Sequence, residues 1–82
     1  MAPGMRRLYA PQPVAVEADG DDSPLAVAGV VVESIREEWA VEDRWWTARP
    51  LGRRYFELAL ADGSATVVFR SIGSGRWYRQ RA

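Results

Sequence analysis

The chain has 82 residues, carries eleven acidic and eleven basic side chains, and contains neither histidine nor cysteine. This length accommodates one domain. The missing residue types exclude disulfide bonds, the usual zinc sites, a thiol nucleophile and histidine acid–base chemistry. No apolar run approaches the roughly 20 residues of a membrane span, and the N-terminus lacks the apolar stretch of a secretory signal. We therefore expect a cytoplasmic protein without a cofactor.

The charges are distributed unevenly along the chain. Residues 1–43 hold three arginines against nine acidic residues, a net charge of −6. Residues 44–82 hold eight arginines against two acidic residues, a net charge of +6. Such asymmetry can mark an interaction surface, although the two halves neutralise each other if they fold together.

The first predicted elements are a lead, a strand and a turn. Residues 1–12 are expected to form a flexible lead, and residues 13–82 a single small β domain. Pro13–Ala18 alternates as a short strand does. Asp19–Pro24 collects turn-forming residues. Its carboxylates resemble the start of a calcium loop, but Val30 stands where that loop needs glutamate, so we predict a solvated turn and no metal.

The middle of the chain predicts extended structure. Pro24–Ile35 is rich in β-branched residues and is interrupted by Gly29, which indicates two short strands or one bulged strand. Ile35–Trp46 is also expected to be extended, with a kink near Glu37–Glu38. In that interpretation, one face of the strand collects the apolar side chains Ile35, Trp39, Val41 and Trp45.

The second half of the chain predicts a three-stranded meander. Thr47–Arg54 is expected to be a loop because it contains proline and glycine. Tyr55–Leu60 and Ala65–Arg70 alternate as paired strands, and the Asp62–Gly63 dipeptide between them favours a two-residue hairpin turn. Arg76–Gln80 is the last predicted strand.

These elements together predict an all-β fold: a small antiparallel sheet or partly open barrel of about five to six short strands. The alternation of apolar and polar residues defines the expected core. Its members are Val14, Val16, Val31, Ile35, Trp39, Val41, Phe56, Leu58, Leu60, Val67, Phe69 and one or both of Trp45 and Trp77.

The residues give little support to catalysis. The adjacent acidic pairs Glu37–Glu38 and Glu42–Asp43 point to opposite faces of a strand, so their carboxylates do not converge. The serines of the second half lie in predicted turns, whose chemistry already accounts for them. No catalytic residue is predicted, and the chain is not expected to be an enzyme.

Arginines and aromatic residues alternate after Asp43, a pattern that is typical of binding surfaces. Tryptophan, tyrosine and arginine anchor many protein interfaces, and the same residues bind single-stranded nucleic acid by stacking and phosphate neutralisation. Since Trp45 and Trp46 are adjacent, one of the two rings points outward from a strand. The candidate partner-binding residues are Arg44, Trp45, Trp46, Arg53, Arg54, Tyr55, Arg76 and Tyr78.

Three alternatives to a protein-binding surface remain open at this point. The aromatic residues can simply form the core, with arginine stems covering their edges. Single-stranded nucleic acid is a second candidate ligand, although the zero net charge of the chain weakens it. Self-association through an exposed strand edge, giving a homodimer, is the third.

Three segments in this order, "EDRWW", "RRYFELALADGSATVVFR" and "GRWYRQ", resemble the small C-terminal domain of ImuB-type proteins. Those proteins are catalytically degenerate relatives of Y-family polymerases in bacterial mutagenic repair. The resemblance covers about residues 42–79, and it extends to short free-standing proteins of high-G+C Gram-positive bacteria. The matching positions are Trp45, Trp46, Arg53 or Arg54, Tyr55, Phe56, Asp62, Gly63, Val68, Phe69, Arg70, Gly75, Trp77 and Tyr78.

The resemblance implies a binding role. The polymerase body has no counterpart in these 82 residues, so a role in DNA synthesis would not be catalytic. What the resemblance implies is a docking or accessory module in translesion synthesis or the DNA-damage response. Its implied partner is an error-prone C-family polymerase or an ImuA-like protein.

Overall fold

A computed structural model of the chain describes residues 11–43 and 51–80, apart from the side chains at positions 42, 43 and 51. A helix able to span a membrane is not found among these residues. Most of them belong to strands. The strands are β1 (Gln12–Pro13), β2 (Val16–Ala18), β3 (Pro24–Val27), β4 (Val30–Asp43), β5 (Leu51–Leu60), β6 (Ala65–Ser71) and β7 (Trp77–Gln80).

The seven strands form one antiparallel sheet in the order β1-β7-β6-β5-β4-β3-β2, curled into a half-barrel. The predicted all-β fold is confirmed, and β5, β6 and β7 form the predicted meander. The sheet has seven strands rather than five or six. One reason is that the first predicted strand is divided between β1 and β2.

The segment that contains β1 and β2 joins the two edges of the sheet. β1 pairs with β7 at one edge, and β2 pairs with β3 at the other. Between them, the Val14 amide donates to the Trp77 carbonyl at 3.2 Å, and the Ala28 amide donates to the Ala15 carbonyl at 2.8 Å. Because one short segment bonds to both edges, backbone groups at each edge find partners and the curl is maintained.

The core occupies the inner face of the curl, which is the face that carries Phe56. The ring centroids of Phe56 and Trp77 lie 5.6 Å apart on this face. Burying each large apolar side chain contributes about 1.5–3 kcal/mol, so this cluster is a main source of stability. Its buried members are Val27, Phe56, Leu58, Leu60 and Val68, and the half-buried Val14, Val16, Val30, Val32 and Trp77 pack against them.

Four residues predicted for the core lie at the surface instead. β4 pairs with β5 in a register that shifts twice, first after Val32 and again after Ile35. Each shift inserts an extra residue and reverses which side chains of β4 face inward, so the two together restore the original alternation. Val30 and Val32 therefore face inward before the shifts and Glu38 after them, which leaves Val31, Trp39 and Val41 on the outer face. Ile35, between the shifts, lies opposite Leu58. In β6, Val68 rather than the predicted Val67 lies opposite Phe56. The four surface residues are Val31, Ile35, Trp39 and Val41, with exposed fractions of 59, 40, 37 and 44%.

The predicted loop before Tyr55 is shorter than expected, because β5 already begins at Leu51. Gly52, which suggested a loop, is a buried strand residue that accepts a hydrogen bond from the Ile72 amide at 2.9 Å. A Cβ at this position would lie 2.8 Å from the Ile72 Cδ1. Glycine is therefore needed at position 52 because the Ile72 side chain packs closely against the backbone, and not because the chain turns there.

The turn between β2 and β3 has the predicted chemistry. One carboxylate oxygen of Asp19 accepts hydrogen bonds from the amides of Asp21 and Ser23, at 2.8 and 3.0 Å. Asp22 has a φ of 62°, in the left-handed region that aspartate tolerates. The Asp19 oxygen is thus used to close the turn.

The β3–β4 hairpin turns on two residues that both have positive φ, Ala28 at 49° and Gly29 at 83°. A two-residue turn of this kind favours Asn-Gly, because alanine in the left-handed region costs about 1 kcal/mol or more. We therefore expect Ala28→Asn to stabilise the domain by roughly 0.5–1 kcal/mol in urea unfolding. Ala61→Asn, at an exposed turn position without positive φ, is the matched control. A loss of stability in Ala28→Asn would contradict the turn geometry.

The β5–β6 turn contains a carboxylate with a lowered pKa. The hydroxyl and the amide of Ser64 donate to one Asp62 oxygen at 2.6 and 2.9 Å. These bonds, the hydroxyl bond first, lower the pKa of the Asp62 carboxyl. Gly63 has a φ of 88°, as the hairpin turn requires.

Because the pKa of Asp62 is lowered by folding, its ionised form contributes stability that is present above about pH 4. That stability is lost as the pH falls through the lowered pKa. In carbon-detected NMR titration, Ser64→Ala should move the Asp62 pKa upward, towards the usual aspartate range. Ser74→Ala, in a turn without a carboxylate, should leave it unchanged. An Asp62 pKa that is equal in wild type and Ser64→Ala would show that the hydroxyl bond is not formed.

Candidate functional site

Four aromatic rings form a row across the outer face of the sheet, the face opposite Phe56. Each ring comes from a different strand, β4, β5, β6 and β7, at one level of the sheet. Successive ring centroids lie 5.3, 5.0 and 5.2 Å apart. We call this arrangement the ring row; its members are Trp39, Tyr55, Phe69 and Tyr78.

The register of the strands explains why these rings meet. Tyr55 lies opposite Trp39 on one side and opposite Phe69 on the other, and Phe69 lies opposite Tyr78. Residues directly opposite in an antiparallel pair project from the same face, so four aromatic positions converge. Aromatic cross-strand pairs each contribute roughly 0.2–1 kcal/mol relative to alanine. The ring row therefore stabilises the outer face while leaving it apolar.

The geometry of the rings determines which of their surfaces are available. The planes of Trp39 and Tyr55 differ by 4° at a centroid distance of 5.3 Å, which is offset stacking. Rings stacked across strands about 4.8 Å apart stand on the sheet and meet face to face. Tyr55 and Phe69 have a ring on each side, so they present mainly their edges outward. A flat ligand is therefore hindered from stacking on these two rings.

Trp39 ends the ring row at an open edge. Among the described residues, β3 pairs with β4 only at Val30 and Val31, so none of these residues supplies a strand beside Trp39. Trp39 is 37% exposed, and Val41 on the same strand is 44% exposed. The outward face of the indole and the adjoining strand edge together form an accessible apolar corner.

Arg53 lies over the middle of the ring row. Its guanidinium carbon is 4.9 Å from the centroid of Phe69, and its Nη1 donates to the Tyr55 hydroxyl at 3.3 Å. Phe69 is only 3% exposed, although it projects from the outer face. The arginine therefore covers the centre of the row and makes a cation–π contact with Phe69.

Two carboxylates flank the ring row on the side away from Arg53. Glu37 and Glu57 lie directly opposite each other in β4 and β5, one outward-facing level from Trp39 and Tyr55. Like charges in this position repel each other. The outer face thus has an arginine on one side of its rings and a negative pair on the other.

The other arginines of β5 and β6, Arg54 and Arg70, lie on the inner side of the sheet and form ion pairs there. The Nε of Arg54 donates to the Glu38 carboxylate at 2.6 Å, and its Nη1 donates to the Asp21 carbonyl at 3.2 Å. Arg70 forms a longer ion pair with Asp22, at 3.9 Å. The acidic turn of the first half therefore contacts arginines of the second half. This contact neutralises part of the charge asymmetry along the chain.

The structure brings only some of the predicted binding residues together. Arg53, Tyr55 and Tyr78 belong to the outer face or cover its rings, whereas Arg54 faces the other way. Arg76 is exposed and precedes β7. Arg44, Trp45 and Trp46 lie outside the described residues, and so does the predicted lead up to residue 10.

Sequence reasoning assigned two members of the ring row, Phe69 and Trp39, to the core. Phe69 is buried as predicted, but on the outer face, because the β5–β6 loop has three residues, 61–63, rather than two, and this places Tyr55 rather than Phe56 opposite Phe69. Trp39 faces outward because Val30 and Val32, rather than Val31, face the core in β4.

The chain matches no family model, no curated protein and no solved structure. The resemblance to the C-terminal domain of ImuB-type proteins therefore stays a prediction based on the quoted segments.

The opposed carboxylates beside the ring row should reduce the stability of the domain. We expect Glu37→Gln to stabilise it by about 0.5 kcal/mol, since repulsion from Glu57 is removed. The gain should shrink as salt is added, because salt screens exposed charges. Glu33→Gln, on the same exposed strand, is the matched control for urea unfolding. Equal changes in the free energy of unfolding for Glu37→Gln and Glu33→Gln would contradict a specific repulsion between Glu37 and Glu57.

Proposed function

We propose that this domain is a non-catalytic protein-interaction module that docks a protein partner on the ring row and the adjoining edge of β4. The observation that carries the proposal is the exposure of Trp39 at the open end of a four-ring row. Tryptophan, tyrosine and arginine are the residues most enriched at interface hot spots. The ring row and Arg53 supply all three.

A rigid apolar surface suits protein docking. Trp39 and Tyr55 are stacked on each other, so their side chains lose little additional freedom when a partner binds. Beyond Val31, no described strand pairs with β4 on the side away from β5. This edge offers a second contact, because an extended segment can add to an open strand edge. Val41 extends the apolar surface along that edge.

Single-stranded nucleic acid is a weaker candidate for the same surface. Bases would need open ring faces, and the faces of Tyr55 and Phe69 are partly covered by their neighbours. Glu37 and Glu57 would repel phosphates next to the rings. Arg54 is occupied by Glu38 on the inner side and does not add positive charge to the outer face.

The class of partner follows from the resemblance to ImuB-type C-terminal domains. On that basis, we propose that the module acts in translesion synthesis or the DNA-damage response. An error-prone C-family polymerase or an ImuA-like protein is the proposed partner.

The test begins with recovery of the tagged domain from DNA-damaged host cells, with nuclease treatment, followed by rebinding of the purified partner. We expect an error-prone polymerase or an ImuA-like protein to bind, and Trp39→Ala to weaken its affinity at least about tenfold, as expected for an interface hot spot. Leu25→Ala is the matched control, because Leu25 is 51% exposed but lies in β3, outside the ring row.

Three outcomes would contradict the proposal. A purified partner that binds wild type and Trp39→Ala equally would exclude the ring row as the interface. Binding that disappears with nuclease and falls steeply between about 50 and 200 mM salt would indicate nucleic acid. A dimer in concentration-dependent light scattering, lost in Trp39→Ala, would show that a second copy covers the surface.

A further inference from the structure

An arginine on the inner face of the sheet has a buried nitrogen to which no group in the described part of the chain bonds. Arg79 is opposite Val68 in the β6–β7 pair, so its side chain projects on the side of the core. The Arg79 Nε is buried and has no hydrogen-bond partner. None of the ion pairs found among residues 11–43 and 51–80 involves this arginine.

A buried N–H of a cation is normally paired, because its desolvation is otherwise uncompensated. The structure describes nine of the eleven acidic side chains, and none of these nine forms an ion pair with Arg79. Asp62 lies near the same arginine, but the Ser64 hydroxyl and amide already donate to one of its oxygens. The unpaired Nε therefore needs an acceptor from another source.

The surroundings of Arg79 form an open cleft of about 480 Å³ between the β3–β4 turn and the strands β6 and β7. Its apolar lining is the half-buried Val30, behind which lie the buried Val27 and Leu60. Thr66, opposite the inward-facing Leu58, adds a hydroxyl to the same cleft. An apolar wall with a few polar groups is the usual composition of a small-ligand site.

We propose that this cleft binds a carboxylate that carries a small apolar group, with Arg79 as the anchor. The edge formed by Nε and one Nη of a guanidinium matches the two oxygens of a carboxylate. The hydroxyl of Thr66 is a further donor for the same oxygens. Val30, which is half-buried, would contact the apolar group.

The charge at the margin of the cleft favours a carboxylate over a phosphate. Asp62 is ionised at neutral pH, as aspartate ordinarily is, and the Ser64 bonds lower its pKa further. Its negative charge repels a dianion more strongly than a monoanion. Inorganic phosphate should therefore bind more weakly than an organic acid, although its oxygens also fit the guanidinium.

This site is independent of the proposed docking function. Arg79 and Tyr78 are neighbours in β7 and project to opposite faces, so a ligand in the cleft does not contact the ring row. A negative result for the Arg79 cleft would not contradict docking on the ring row, and the reverse also holds.

The test follows the Arg79 Nε–H signal in a nitrogen–proton NMR titration. The probes are N-acetyl-L-valine, its neutral amide, inorganic phosphate and a hexapeptide that ends in a free valine carboxylate. We expect saturable shifts with the acetylated amino acid, with a dissociation constant on the order of 1 mM. Tighter binding of the hexapeptide than of N-acetyl-L-valine would identify a protein C-terminus as the source of the carboxylate. Equal affinities of the two probes would identify a small organic acid as the source.

Substitutions of Arg79 distinguish the bidentate geometry of its guanidinium from its positive charge. Arg79→Lys keeps the charge and should weaken binding about fivefold or more, and Arg79→Met should abolish it. Arg76→Met, at an exposed arginine before β7, should bind as wild type does. Binding should also raise the folding equilibrium constant about elevenfold at a ligand concentration ten times the dissociation constant, in wild type and Arg76→Met only.

Several results would overturn the proposal. Equal shifts with the neutral amide would show that the carboxylate is not recognised. Unchanged binding in Arg79→Met would exclude the arginine as the anchor, and if that variant does not fold, unchanged binding in Arg79→Lys excludes the bidentate contact. A titration in which the Nε–H signal does not move would show that none of these carboxylates bonds to this group.

Discussion

The alternation of Tyr55 and Phe56 in β5 is the constraint on which the rest of this structure depends. Phe56 projects inward and is fully buried, whereas Tyr55 projects outward between Trp39 and Phe69. The central strand of the sheet is thus apolar on both faces. A half-barrel encloses only its inner face, so the outer face keeps a row of four rings; Arg53 and the neighbouring rings cover Phe69, whereas Trp39 at the open end is exposed. A small domain has few aromatic residues, and one that places four of them outside its main core has a surface suited to binding.

The two halves of the chain have different roles in this arrangement. The first half supplies the segment that joins the sheet edges, and its acidic turn contacts arginines of β5 and β6. The second half supplies the meander that carries three of the four rings. Charge contact between the halves occurs on the inner side. The outer face keeps both an arginine and a carboxylate pair, which gives it polarity without a strong net charge and favours a protein as the partner.

Much of the fold could be predicted from local chemistry. The Asp62–Gly63 turn and the alternation of Tyr55–Leu60 were sufficient for the strands of the meander, but not for their register, because the loop has three residues rather than two. The core members in β4 could not be predicted, since positions 30, 31 and 32 are all valine and nothing in the sequence shows that Val30 and Val32 face inward. Gly52 was misassigned because close packing against Ile72 and a turn both favour glycine. The unpaired Nε of Arg79 could not be predicted from the sequence, because it results from tertiary burial.

The most direct test of the account is whether the ring row faces solvent. A soluble gadolinium chelate broadens the NMR signals of protons that it can approach. The account predicts strong broadening of the Trp39 indole protons and none for the ring protons of Phe56, which is fully buried. Equal protection of Trp39 and Phe56 at low protein concentration would contradict it, because the outer face would then be covered by the chain itself and unavailable to a partner.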